Sequence, residues 1–227
     1  SDTLAFAVLC DGMGGENGGN VASEITLRHV MDTFRRELYA GMGESSLRGL
    51  MQSAVTGANA LVYDAAQKDP SLSGMGTTIV AAVFVADTLY IGCVGDSRAY
   101  LVTPQTETQI TQDHTLVQML VDIGEIAQED AATHPKRHMI TRAVGVSDLV
   151  EMDFHVHKMG RGDIVLICSD GLYNYMKKGD FYPILTRCVR EKSVDALIKL
   201  ALESGGADNI TAVVGTLANP LEEMDIG

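Results

Sequence analysis

The apolar and polar positions of this chain change period along its length. Residues 4–10 form an almost unbroken apolar run, which predicts a buried strand. A glycine-rich turn follows at 12–19. Beyond it Val21, Ile25, Met31, Phe34 and Leu38 recur near one face of a predicted helix over 21–38. Ser45 and Ser46 offer an N-cap to a second helix. Its stripe of Leu47, Leu50, Met51, Ala54, Val55, Ala58, Leu61, Val62 and Ala65 keeps the 3–4 spacing until Lys68-Asp69-Pro70-Ser71 ends it. The methionines in these helices read as core filler. From Thr77 the period shortens, and strands are predicted over 77–85, 88–94, 99–102 and 108–111. Ala86-Asp87, Gly95-Asp96-Ser97-Arg98 and Thr103-Pro104-Gln105 separate them, the spacing of an antiparallel meander.

Residues 113–147 break the pattern. They are polar, helical in short pieces over 115–122 and 126–132, and interrupted by Gly124 and His134-Pro135. An insertion of this size between strands is more often functional than accidental. A strand over 150–157 follows, then the turn Gly160-Arg161-Gly162 and a second apolar run that ends at Asp170. Helices are predicted over 172–176, 181–190 and 194–204, and Asp208 is expected to open the last strand. The acidic tail at 221–225 is expected to fray. With no repeat or linker, 1–227 reads as a single domain. Helices and antiparallel strand runs are segregated along it, which gives an α+β fold.

The chemistry lies at strand ends. Asp11 stands where the first apolar run meets the glycine-rich turn. Alone it is either a turn-forming or capping residue or a ligand for a hard cation. Asp170-Gly171 repeats the arrangement after the run 164–168, and Asp208-Asn209 inverts it ahead of 210–214. If the last strand is antiparallel to the others, all three aspartates gather at one sheet edge. Three unpaired carboxylates repel one another and are costly to desolvate, so such a cluster usually holds metal. Oxygen-only donors select Mg²⁺ or Mn²⁺ over zinc.

These residues also carry a resemblance. Asp11-Gly12-Met13-Gly14-Gly15, Gly76-Thr77-Thr78, Gly95-Asp96-Ser97-Arg98, Ser169-Asp170-Gly171 and Asp208-Asn209, in that order, resemble the motif set of the protein phosphatase 2C family, metal-dependent serine/threonine phosphatases. The likeness is to the small bacterial, single-domain members and runs over about 4–216. It implies a four-layer α-β-β-α sandwich of two antiparallel sheets with flanking helices. It further implies two Mn²⁺ or Mg²⁺ ions, Asp11 bridging them, the Gly12 carbonyl on one, and Asp170 and Asp208 on the other. Two ions about 4 Å apart can lower the pKa of a shared water, align it with phosphorus and neutralise developing charge. Asp11, Asp170 and Asp208 are therefore the expected catalytic set. Residues 113–147 are similar to the family's flap beside the metal site. Asp113 matches the position that bacterial relatives use for a third, weaker ion; as a residue it equally suits an N-cap of the following helix. Where many eukaryotic relatives have a proton-donating His, this chain has Met13, which cannot donate. Family members also carry an earlier strand and a segment with a phosphate-binding Arg. This sequence passes from Ser1-Asp2-Thr3 straight into its first apolar run with no such segment visible, so either the sequence starts late or the protein lacks those groups, and no Arg is nominated.

Other polar residues receive plainer readings. Asp96 and Arg98 are taken as structural, a turn-stabilising Asp and an Arg in a salt bridge or hydrogen bond. His114, His134 and His138 are expected to face solvent. His155 and His157 share one strand face, read as exposed and polar because no third zinc ligand stands nearby.

Composition narrows the partners. With 17 basic against 30 acidic residues, the formal charge of −13 argues against a nucleic-acid or anionic-membrane surface. No apolar run approaches a membrane span, and no cleavable leader is visible. Cys10, Cys93, Cys168 and Cys188 lie in apolar segments without Cys-x-x-Cys spacing, which reads as buried thiols in a reducing cytoplasm. The expected protein is a cytoplasmic monomer acting on phosphorylated Ser/Thr proteins, opposite a bacterial serine/threonine kinase. Three rivals stand beside it. A catalytically impaired relative could serve as a phosphoprotein-binding scaffold. A nucleotide-binding protein could use the glycine loop, although no Gly-x-x-x-x-Gly-Lys-Ser/Thr is present. A phosphatase could be dedicated to one protein of a sigma-factor switch.

Overall fold

The computed structural model describes residues 4–217, with the backbone alone at 15–17. The expected tail at 221–225 and the opening Ser1-Asp2-Thr3 lie outside the described residues. Strand β1 (Leu4–Leu9) leads into the two-residue β2 (Gly12–Met13), then α1 (Gly15–Glu37) and α2 (Glu44–Lys68). The short β3 (Gly76–Thr77) pairs back onto β2, and β4 (Ile79–Val85) onto β1, with Leu4 opposite Val85 and Leu9 opposite Val80. Strand β5 (Thr88–Val94) forms a hairpin with β4, and the later β8 (Asp153–Lys158) adds to its other side. A second sheet contains β6 (Arg98–Val102), β7 (Glu107–Gln109), β9 (Ile164–Cys168) and β10 (Ala212–Thr216) in the order β10-β9-β6-β7. Every pairing is antiparallel.

Alternation along the strands sorts their side chains into layers. Ile79, Ala81 and Val83 face α1 and α2, where they pack with Phe34, Met51 and Val55. Val80 and Ala82 point the other way, into a core shared with Leu89, Ile91, Ala99, Val165 and Ile167 that lies between the two sheets. The outer face of the second sheet, through Leu166 and Cys168, packs on α5 (Asp170–Tyr173), α6 (Phe181–Glu191) and α7 (Asp195–Glu203) by way of Leu172, Leu185 and Leu197. The result is the expected α-β-β-α sandwich. Each fully buried Leu or Ile contributes about 1.5–3 kcal/mol, so the middle core sets the spacing of the sheets and the outer two hold the helices against them. Two short helices, α3 (Leu116–Asp122) and α4 (Gln128–Ala131), stand in the polar segment before β8. Among the described residues no helix is long and apolar enough to cross a membrane.

Local expectations are corrected in several places. Strands 77–111 are not one meander, because β5 and β6 lie in different sheets. Gly95, at φ 103, turns the chain from one sheet to the other and sits hard against Thr78. Helix α1 starts within the supposed glycine turn rather than at Val21. A Cβ on Gly19 would strike the Gly12 backbone, so glycine there lets the first turn of α1 pack directly on β2. Gly43, not Ser45 or Ser46, caps α2, since its carbonyl already accepts the Leu47 N–H at 2.9 Å. Asp208 does not open the last strand; β10 begins at Ala212.

Candidate metal centre

Asp11 follows β1, and its backbone is clamped. Its N–H donates to Thr78 Oγ1 (3.1 Å), while its carbonyl accepts from the Thr78 N–H (2.8 Å) and from Thr77 Oγ1 (2.9 Å). Thr78 Oγ1 also pairs with Ser97 Oγ at 2.7 Å. Gly76-Thr77-Thr78 and Gly95-Asp96-Ser97-Arg98 are thus two sides of one socket around Asp11. On the second sheet Ser169 ends β9 with a comparable staple. Its Oγ donates to the Asn209 carbonyl and accepts the Thr211 N–H, each at 3.1 Å. A Cβ on Gly171 would collide with the Asn209 carbonyl, so the loop carrying Asp208 lies directly on the start of α5, which carries Asp170. That staple keeps 208–211 out of the strand.

Asp11, Gly12, Asp170 and Asp208 come together around one cavity of about 390 Å³, with Met13, Thr78, Asp96, His138 and Ile140 completing its wall. Asp113 is absent from that wall and lines an adjoining cavity of about 750 Å³, which shares Asp96, His138, Asp170 and Asp208 with the first. Asp113 is not the N-cap of α3; Thr115 takes that place, accepting the Gln118 N–H at 3.3 Å. The Asp113 carboxylate instead grips Arg98 through Nε (3.0 and 3.1 Å) and Nη2 (2.7 Å), and accepts from Gln109 Nε2 at 3.0 Å. The Arg98 guanidinium lies 3.7 Å from the centre of the Tyr173 ring, which ties Asp113 to α5. Arg98 is therefore structural, as expected.

Asp96 is more than a turn residue. It is 8 % exposed and lies on both cavities. The motif around it was visible in the sequence, but not the crossing between sheets that turns it inward. His114 is also a correction, since it is buried rather than solvent-facing. Its Nδ1 accepts the Gly95 N–H at 3.0 Å, and its Nε2 lies 2.9 Å from Arg142 Nη1 and 3.2 Å from Asp153 Oδ2. Burial holds its pKa below the ordinary value, against the opposing pull of Asp153. His138 is exposed, as expected. His155 and His157 share a face of β8 but are half-buried, because that face turns toward Ile91 and Leu89 of β5.

The carboxylates stand in an environment that opposes their charge. Burial, then repulsion from Asp170 and Asp208, pushes Asp11 up to about 6. Burial and Asp170 push Asp96 up to about 7. Asp170 is raised by burial and by Asp208. Among the described residues none of Asp11, Asp96, Asp170 and Asp208 has an ion-pair partner. Nor do any three His, Cys, Asp or Glu side chains among them converge on one point that a single ion would fill. The acids spread around a polar cavity instead. Oxygen donors and mutual repulsion, with no thiolate and His138 the one imidazole on the wall, fit hard divalent cations, which would relieve that repulsion.

A family description, Protein phosphatase 2C, matches residues 1–202. The serine/threonine phosphatase stp of Listeria innocua is 37% identical over 215 residues, covering 94% of this chain and 84% of that protein. The crystal structure of the serine/threonine phosphatase Stp1 from Staphylococcus aureus superposes with a TM-score of 0.87 at 32% identity, over 96% of this chain and 89% of that one. The catalytic domain of the serine/threonine protein phosphatase PstP in complex with two manganese ions superposes with a TM-score of 0.81 at 33% identity, over 96% and 91% of the two chains.

Proposed function

This chain belongs to the protein phosphatase 2C family and is a metal-dependent serine/threonine protein phosphatase, and we propose that Asp11, Asp170 and Asp208 carry its reaction. The observation that carries the proposal is the meeting of three aspartates, from elements far apart in sequence, on one cavity, none of them in an ion pair among the described residues. Asp11, the Gly12 carbonyl, Asp170 and Asp208 would hold the ions. Bound Mn²⁺ or Mg²⁺ would supply Lewis acidity toward the phosphoryl group and lower the pKa of water.

The chain's own contribution is position and charge. The socket of Thr77, Thr78 and Ser97 fixes the backbone of Asp11, and the Ser169 staple fixes Asp208 against Asp170. Asp96 lies where the two cavities meet and holds a proton more tightly than an ordinary carboxylate. Asp113, occupied by Arg98 and Gln109, would bind a third cation weakly. We assign residues 113–147 as a flap over the larger cavity within a single catalytic domain. The protein would act as a cytoplasmic monomer on phosphoproteins made by a serine/threonine kinase; four free cysteines, three of them buried, support the reducing compartment.

Hydrolysis of para-nitrophenyl phosphate in Mn²⁺, beside EDTA and Asp170→Asn, tests the assignment together with calorimetric Mn²⁺ binding. Turnover abolished by chelation, and lost together with one binding step in the variant, is expected. Mn²⁺ binding with no turnover of any phosphomonoester would favour the scaffold reading. Full activity in Asp170→Asn would remove that residue from the site.

A further inference from the structure

The larger cavity holds a charge that the metal site does not need. Its wall runs from Asp170 and Asp208 across Tyr175 to Gln118, Gln128 and Arg137 of the segment before β8. Arg137 is exposed, with Lys136 beside it in sequence, and Lys177 and Lys178 directly follow Met176 on another part of the wall. On a chain of net charge −13, nine of the 17 lysines and arginines pair with acidic neighbours among the described residues, as Arg28 does with Glu24 and Arg187 with Glu191. Among the described residues Lys136, Arg137, Lys177 and Lys178 have no such partner. Glu129 and Asp130 of α4 are close in sequence but do not line the cavity. Of the cavity's own cations, Arg98 is consumed by Asp113. Once cations neutralise Asp170 and Asp208, Arg137 is the full positive charge left on the wall, beside the imidazole of His138.

We propose that Arg137 is a specificity-determining residue that selects substrates with an acidic side chain near the phosphorylated Ser or Thr. The phosphate would enter the smaller cavity, and the flanking peptide would lie in the larger one, which opens from it. There a guanidinium can take a Glu or Asp carboxylate through paired N–H donors. Lys136, Lys177 and Lys178 add attraction at the mouth, where the molecule as a whole repels acidic chains. The inference rests on the phosphatase assignment of the adjoining site.

The experiment uses the full chain with Mn²⁺ and three substrates: para-nitrophenyl phosphate, a phosphothreonine peptide flanked by Glu, and its Lys-flanked counterpart. Exposed ion pairs are worth up to about 1 kcal/mol, so the wild type should favour the Glu peptide by about fivefold in kcat/KM. The preference should shrink with added salt. In Arg137→Glu it should fall below one through KM, with kcat little changed and para-nitrophenyl phosphate hydrolysis within about twofold of wild type. Equal kcat/KM for the two peptides in the wild type, or the same ratio in Arg137→Glu, overturns the proposal while leaving the phosphatase assignment intact. No turnover of para-nitrophenyl phosphate by the wild type overturns that assignment, and this inference with it.

Discussion

At the scale of single residues, Thr78 carries more than its size suggests. One hydroxyl accepts the Asp11 N–H and pairs with Ser97, while the backbone N–H of the same residue donates to the Asp11 carbonyl. Thr78→Val keeps the volume but leaves two partly or fully buried groups unpaired, which costs about 1–3 kcal/mol. At about 2–4 °C per kcal/mol for a chain of this size, the thermal midpoint should fall by several degrees, and turnover should fall with it because Asp11 loses its anchor. An unchanged midpoint and rate would show that the socket does not depend on this hydroxyl. Asp208→Asn makes the complementary test. It removes one of the repelling carboxylates, so the metal-free variant should be no less stable than wild type. Its Mn²⁺-dependent hydrolysis of para-nitrophenyl phosphate should nevertheless drop by about a hundredfold or more, the upper range for loss of a group that supports a metal site. Wild-type rates in that variant would exclude Asp208 as a ligand.

Elements show where local pattern suffices and where contacts override it. Strand β5 occupies the residues that its short apolar run assigns, and the stripe of α2 buries Leu47, Met51, Ala54, Val55, Ala58 and Val62, although Leu61 of the same stripe is exposed. The grouping of Asp11, Asp170 and Asp208 on one cavity was legible because each stands at the end of an apolar run and antiparallel strands bring such ends to one sheet edge. Singly, each reads as well as a turn or cap residue. The rest depends on contacts between distant residues. Nothing local shows that Gly95 carries the chain between sheets, so Asp96 was read as a turn residue and His114 as exposed. Helix α1 begins in its glycines because β2 packs there, which no propensity predicts. Helix α6 gives the clearest long-range case. It has no side-chain cap of its own, and Glu107, from the end of the second sheet, accepts the N–H groups of Gly179 (2.7 Å), Phe181 (3.1 Å) and Tyr182 (3.4 Å). A carboxylate at a helix N-terminus satisfies orphan donors and complements the helix dipole. Glu107→Ala should therefore cost about 1–2 kcal/mol, read as a lower midpoint in urea or heat. Activity at 25 °C should be unaffected, because Glu107 lies on neither cavity wall. A stability equal to wild type would mean that solvent caps α6 as well as Glu107 does.

For the whole molecule, the acids at the centre set the pH dependence of folding. Asp11, Asp96 and Asp170 all have folded pKa values raised above the ordinary carboxylate value, Asp11 to about 6 and Asp96 to about 7. A group raised in this way binds its proton more tightly in the folded than in the unfolded chain. Its stabilisation is complete below the unfolded value near 4 and is lost as pH rises through the folded value. Asp96 alone would weaken the metal-free fold by roughly 4 kcal/mol across that interval, at about 1.36 kcal/mol per pKa unit. His114 and His155 act in the opposite sense. Both are depressed, chiefly by burial, so they cost stability as pH falls through the unfolded histidine value near 6.5. The metal-free protein should therefore be most stable on the acid side of neutrality, where Asp96 is still protonated and the histidine cost is only partly felt. Bound divalent cations reverse the carboxylate contribution, because they favour the ionised form and bind only the folded chain. Added Mn²⁺ should raise the thermal midpoint little at pH 5 and by several degrees at pH 7.5, moving the optimum upward. Melting curves across this range, with EDTA and with Mn²⁺, read the effect directly. Parallel curves, shifted equally at every pH, would mean that the cations bind away from these aspartates.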